Sequence, residues 1–135
     1  MDMRRCQVST EYLIVIGFVT FVIAITLMMA YSYSGLARDK IALNQIEVFA
    51  NKIIRSAESV FYAGEPSLAY ISAYLPSNAN SIEILDYEIV ITLSTSSGEV
   101  KRAFPSKVRL QGSINAAEGT KKIRIQATQD AVIIS

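Results

Sequence analysis

The stretch that decides the fold runs from Tyr12 to Ala37 and has the sequence YLIVIGFVTFVIAITLMMAYSYSGLA. Its 26 residues carry no charged side chain, and most of them are aliphatic or aromatic. At about 1.5 Å of rise per residue, a helix of this length exceeds the ~30 Å hydrocarbon core of a bilayer. The sequence therefore predicts a transmembrane helix near the N-terminus of the chain.

Charged residues flank this stretch on both sides. Arg4 and Arg5 precede it, and residues 38–40 follow it with the sequence Arg-Asp-Lys. Because Lys and Arg concentrate on the cytoplasmic side of membrane helices, we expect a cytoplasmic N-terminus and an external remainder. A secretory or twin-arginine signal peptide is the alternative interpretation. It requires a small-x-small cleavage motif after the apolar core, and residues 28–30, Met-Met-Ala, match that motif poorly.

Composition excludes several classes of function. Apolar residues make up 51% of the 135 residues, while 13 Lys and Arg nearly balance 12 Asp and Glu. The chain has no basic excess for nucleic-acid binding, no histidine, and Cys6 as its only cysteine. The densest acidic group, Glu83, Asp86 and Glu88, is typical of a solvated strand face rather than of a calcium site. We therefore expect a protein that is not an enzyme, with no cofactor and no metal.

The most informative segment precedes the apolar stretch and contains Gln7-x-Ser9-x-Glu11. Glu11 is the last charge before the membrane helix, where an ionised carboxylate costs several kcal/mol unless a partner neutralises it. One interpretation is that Glu11 only reaches the headgroup region or favours the helix N-terminus through the macrodipole. The other is that a partner cation neutralises Glu11.

The segment resembles the class III signal peptide of archaeal type IV pilin-like proteins, in which a short basic leader and a Gln-x-Ser-x-Glu start precede an aliphatic helix. The resemblance covers the leader and the whole hydrophobic helix. It implies that a prepilin peptidase cuts between Cys6 and Gln7 on the cytoplasmic side, after the leader charges Arg4 and Arg5. Glu11 would then be the fifth residue of the mature subunit.

The resemblance further implies assembly into a helical homopolymer, with a pilus assembly ATPase and a membrane platform protein as partners. The subunit would reside in the cell membrane first and then in an extracellular surface filament, where cell adhesion is a typical role. The new α-amino group of Gln7 would neutralise Glu11 of the same or an adjoining subunit. The side chains expected to pack in the filament core are Leu13, Val15, Phe18, Phe21, Val22 and Ile25.

Two alternatives to the pilin interpretation remain open from the sequence. The first is an archaellin-like filament subunit, since archaellins have the same kind of leader. The second is a membrane-anchored extracellular binding module that does not polymerise, with surface or solute recognition by the remainder of the chain.

The helical pattern continues past the membrane stretch. Ile46, Phe49, Ile53 and Val60 recur at helical spacing and predict one apolar stripe. A Gly and a Pro at positions 64 and 66 predict its end. On the otherwise polar face of this helix, Ile41 and Val48 lie seven residues apart. Scattered exposed aliphatic side chains are normal on such a face and need no partner. The alternative interpretation is that these two side chains contact a neighbouring subunit.

After position 66 the apolar period changes from about 3.6 to 2, which predicts short strands in an antiparallel sheet. We therefore predict an α+β fold in which a long N-terminal helix packs at its second half against a small antiparallel β-sheet domain. The predicted divisions are a cleaved leader (1–6), the hydrophobic membrane or filament-core helix (7–37), its amphipathic continuation (38–63) and an extracellular β-sheet domain (64–135). Because a domain of about 70 residues buries only a modest core, the stripe on the helix should supply its missing layer.

Overall fold

The computed structural model describes residues 9–135 in full and residues 3–8 only as part of the first helix. Its architecture is α+β: one long N-terminal helix packs against antiparallel β-sheets, as the sequence predicts. The elements are α1 (Met3–Ala63), β1 (Leu68–Leu75), β2 (Ala79–Leu85), β3 (Glu88–Thr95), β4 (Gly98–Pro105), β5 (Leu110–Gly112), β6 (Gly119–Ala127) and β7 (Val132–Ile134). The chain divides into two compact units, Met1–Arg38 and Asp39–Ser135.

The end of α1 follows from the residue types at its C-terminus. Gly64 has a φ of 81°, a left-handed conformation that glycine adopts without steric cost, and its N–H donates to the carbonyl of Phe61 at 3.0 Å. The Glu65–Pro66 peptide bond that follows is cis. Helical geometry therefore stops at Ala63, just before the glycine that the sequence indicates as the stop.

The strands of the second unit form two sheets, whereas the sequence predicts one. The four-stranded sheet has the order β1-β6-β7-β5, and the three-stranded sheet has the order β2-β3-β4. All pairs are antiparallel except β5 with β7, which are parallel. Alternating hydrophobicity shows which side chains face the core but carries no information about strand neighbours, so the division and the parallel pair could not be foreseen.

The core of the second unit lies on one face of the helix. Ile46 and Ile53 are fully buried and Phe49 is 1% exposed, so the predicted stripe does face the core. Both sheets contribute to the same cluster, with buried residues from β1, β2, β3, β5, β6 and β7. These are Ala73, Leu75, Ala79, Ile89, Ile91, Leu93, Leu110, Ile123, Ile125, Ala127, Val132 and Ile134. The helix therefore supplies the layer that the strands alone lack.

Four hydrogen bonds made by three helix side chains fix this packing at its margins. Asp39 accepts from the backbone N–H of Ser96 at 3.1 Å and also from its hydroxyl, in the turn between β3 and β4. Glu58 accepts from the N–H of Lys107 at 3.2 Å. Lys52 Nζ donates to the carbonyl of Ser72 in β1 at 2.6 Å. Three of these bonds satisfy a backbone group, and all four hold the β part of the unit to the helix.

Candidate functional site

The most unusual surface of the molecule is the apolar helix of the first unit. From Tyr12 to Leu36, its large hydrophobic side chains are between 42% and 85% exposed. These side chains occupy every face of the helix, since the stretch contains no charged residue. A helix that is apolar all round belongs inside a membrane or a protein core. This segment therefore needs a cover that the single chain does not provide.

The side chains predicted to pack in a filament core all belong to this surface. Leu13, Val15, Phe18, Phe21, Val22 and Ile25 are each exposed in the single chain. Their packing against other subunits stays a prediction, because a single chain holds no neighbouring copy to contact.

Three hydroxyl groups of this helix, those of Thr20, Thr26 and Ser32, are satisfied internally. Thr20 donates to the carbonyl of Ile16 at 2.8 Å, and Thr26 donates to that of Val22 at 2.8 Å. Ser32, six residues further on, repeats the pattern by donating to the carbonyl of Met28 at 3.1 Å. Because no water or external partner is required, these hydroxyls do not oppose burial in lipid or among other helices.

The helix meets the length and composition required to cross a membrane. Within the residues that the structure describes, the helical span that meets these requirements is Ser9–Ala63, and none of its most apolar segment is buried inside the protein. A core helix of a soluble protein would be mostly buried, and this segment is not. The long apolar N-terminal helix is thus compatible with membrane association.

The predicted assembly and processing residues lie at the start of this helix. Glu11 is exposed on α1, and Tyr12 follows it as the first residue of the uncharged stretch. The leader charges Arg4 and Arg5 and the processing residues Cys6 and Gln7 lie outside the fully described residues. The predicted cut and the pairing of Glu11 therefore stay predictions.

A second apolar surface lies within the second unit, on the outer face of its helical part. Ile41 is 58% exposed and Val48 is 67% exposed. Together with Phe49 and Tyr74 they line an open groove of about 520 Å³ beside β1, and Lys52 closes one wall by its bond to β1. The exposure of Ile41 and Val48 leaves both available to a neighbouring subunit, as the sequence-based hypothesis requires.

The acidic group singled out from the sequence is divided by the fold. Glu83 lies on β2 and Glu88 on β3, whereas Asp86 lies in the turn between these strands and pairs with Arg109, Nε to Oδ1 at 3.1 Å. The hydrogen bond that Arg109 donates to Asp86, reinforced by the negative charge of that carboxylate, raises the pKa of the Arg109 guanidinium. Among residues 9–135, no group of three His, Cys, Asp or Glu side chains is arranged to hold a metal ion.

Sequence reasoning missed the side chains that join the helix to the strands. Asp39, Lys52 and Glu58 each bond a backbone group 20 to 57 positions away along the chain. No local pattern marks such long-range partners. A polar residue next to a buried stripe was the only available signal, and most such residues are simply solvated.

Comparison with protein-family models, with curated proteins and with solved structures finds no match to the chain. The functional argument therefore depends on the residues and the geometry alone.

Proposed function

We propose that the chain is a structural subunit, a pilin, of an archaeal type IV pilus-like surface filament. A prepilin peptidase removes residues 1–6, and the mature subunit polymerises through its N-terminal helix. The observation that carries the proposal is the apolar surface of residues 12–37, exposed on every face directly after Gln7-x-Ser9-x-Glu11. Either lipid or neighbouring helices of the same kind can cover such a surface.

The same helix serves both states of the subunit. Before assembly it spans the membrane, which is possible because its backbone and the hydroxyls of Thr20, Thr26 and Ser32 are bonded internally. During assembly it exchanges lipid contacts for contacts with other helices. Since lipid tails are as apolar as the side chains, this exchange is driven by close packing and polar pairing rather than by the hydrophobic effect. The exposed large side chains of residues 12–36 supply the packing surface.

Glu11 supplies the polar pairing in this proposal. In a water-poor filament core an ionised carboxylate must be neutralised, and cleavage before Gln7 creates an α-amino group that can do so. Because an unpaired charge would oppose assembly, the pair sets the axial register between subunits. The prepilin peptidase, the assembly ATPase and the membrane platform protein complete the proposed set of partners, and the filament is extracellular.

The first test is intact mass and N-terminal sequencing of the protein in sheared cell-surface material, beside the membrane fraction. The proposal predicts a chain that begins at Gln7 in the sheared filaments. An uncut chain present only in the membrane would instead favour the membrane-anchored module. Cleavage after residue 37 would make the chain a secreted protein and would contradict the proposal.

The pairing is tested separately by the substitution Glu11→Ala. We expect normal cleavage before Gln7, because the substituted position follows the cut. We also expect at least about a hundredfold loss of filaments, since breaking a buried charge pair costs about 3–5 kcal/mol and each 1.4 kcal/mol is tenfold. Glu65→Ala, which removes an exposed carboxylate after the helix, is the matched control. Filament yield equal to that of the control would show that Glu11 has no pairing role.

A further inference from the structure

The second unit is neutral as a whole but divided in charge. Residues 39–135 contain ten Lys and Arg and ten Asp and Glu. The solvent-facing sides of the two sheets share these charges unequally. A neutral domain with one basic and one acidic face is complementary to a second copy of itself.

The basic face is the outer side of the four-stranded sheet, around Lys122 and Arg124. In the β1–β6 register, Tyr70 lies opposite Arg124 and Ser72 lies opposite Lys122, and all four are exposed. Tyr70 is 71% exposed, and Tyr74, on the same side of β1, is 47% exposed. The remaining outward positions of this sheet carry no acidic residue within the described part of the chain. They are Leu68, Gln111, Thr120, Gln126 and Ile133.

The acidic face is the outer side of the three-stranded sheet, around Glu83 and Glu88. Glu83 lies opposite Val90, and Glu88 lies opposite Leu85. Leu85 is also exposed, so the acidic side chains stand beside apolar surface as the basic ones do. A third carboxylate, Glu99, lies on the same side of β4, and the one outward cation of these strands is Lys101.

The spacing of the charges agrees between the two faces. Lys122 and Arg124 lie two residues apart on one strand, which separates their Cα atoms by about 7 Å. Glu83 and Glu88 are diagonal neighbours on adjacent strands, a relation that separates the residues by about 7–8 Å. Two cations can therefore meet two anions in one docked arrangement.

We propose that the basic face of one copy docks on the acidic face of the next copy. Contacts between two basic faces or two acidic faces would oppose like charges, so neither face should dock on its own copy. A contact between two different faces is heterologous and can repeat without closing, which is the symmetry that a filament requires. This docking rests on the proposed function, which identifies the repeating assembly as a filament. It adds the surface by which the external domains of adjacent subunits contact each other.

Co-expression of two chains, each with one introduced cysteine, tests the contact directly. One chain carries Glu83→Cys and the other Lys122→Cys, each with its own epitope tag, and intact cells are treated with a short bismaleimide. We expect cross-linked heterodimers that carry both tags. Cells in which each variant is co-expressed with the other tagged chain lacking the introduced cysteine measure the background, including that from Cys6. If heterodimers are absent, or are no more abundant than this background, the docking proposal is wrong.

The same experiment separates failure of the docking from failure of the proposed function. If heterodimers form in the membranes of cells that shed no filaments, the docking is supported and the proposal that the chain is a pilin is rejected. If filaments contain chains that begin at Gln7 but give no heterodimers, the proposal that the chain is a pilin is supported and this docking is rejected.

Charge reversal provides the second measurement on the full chain. Lys122→Glu with Arg124→Glu should lower the ratio of sheared filament to membrane protein at least about tenfold at low salt, and so should Glu83→Lys with Glu88→Lys. Combining all four substitutions should restore the ratio to within about twofold, because the faces are again complementary. Lys107→Glu, which makes the same kind of charge change at an exposed residue outside both faces, should cause no loss. Failure of the combined variant to recover would contradict the contact.

Discussion

Substitution of Ile41 and Val48 by lysine separates subunit assembly from subunit folding. Both side chains lie on the outer face of the helical part of the second unit, where they are 58% and 67% exposed. A surface substitution of this kind changes the free energy of unfolding by no more than about 0.5 kcal/mol. The isolated chain should therefore fold normally with both lysines.

The effect on assembly is much larger if a neighbouring subunit covers these two side chains. Full burial of an Ile or Val contributes about 1.5–3 kcal/mol, and scaling by the exposed fractions leaves about 2–4 kcal/mol for the pair. At 1.4 kcal/mol per factor of ten, the loss of this contribution lowers the assembly constant about 30- to 700-fold. Burial of the two ammonium groups would lower it further.

Two assays on the same protein distinguish the effects. Quantitative immunoblotting of sheared material and membranes measures assembly, and thermal unfolding followed by circular dichroism in detergent measures folding. Val48→Ile, which retains a β-branched apolar side chain, is the control for the position. Normal filament yield from the Ile41→Lys/Val48→Lys variant would refute the assignment of this face to a subunit contact. Loss of filaments together with a lowered unfolding temperature would show that the face is needed for folding instead.

Two further predictions concern the core of the second unit. Phe49→Ala should lower the free energy of unfolding by about 3–5 kcal/mol, against about 0.5–1.5 kcal/mol for Ile53→Val, as measured by denaturant titration of the full chain in detergent. Equal losses of unfolding free energy from Phe49→Ala and Ile53→Val would show that the two side chains are not comparably packed. Gly112→Ala should cost more than the roughly 1–3 kcal/mol of its positive φ, because the added Cβ would overlap the carbonyl oxygen of Ile134. Gly98→Ala has a similar φ and open space around it, so a cost equal to that of Gly112→Ala would exclude the overlap.

Local patterns in the sequence were sufficient to predict the elements of this fold. The uncharged stretch and the stripe from Ile46 to Val60 predicted one long helix, and the Gly and Pro at positions 64 and 66 predicted its end. The alternation through Ile89, Ile91 and Leu93 predicted the strand whose core-facing residues are fully buried. These features are local because side-chain period and turn chemistry are set within a few residues.

Strand pairing could not be predicted in the same way. β1 pairs with β6, about fifty residues further along the chain, and three-residue β5 runs parallel to β7. The basic and acidic faces depend on these pairings, because they decide that Arg124 stands beside Tyr70 and that Glu83 and Glu88 are diagonal neighbours. The sequence showed the acidic residues as a cluster, and the register showed which of them share a face.

The two halves of α1 present different physical problems. Residues 46–60 are apolar on one face only, and the strands cover that face. Residues 12–37 are apolar on all faces and remain uncovered, so the free energy of the subunit depends on its surroundings. Since lipid already removes these side chains from water, transfer into a filament gains little hydrophobic free energy. The stability of a filament must then come from helix packing, from the Glu11 pair and from contacts between the external domains. Because these contributions arise at separate sites, the losses caused by Glu11→Ala and by charge reversal of the basic face should add on a free-energy scale.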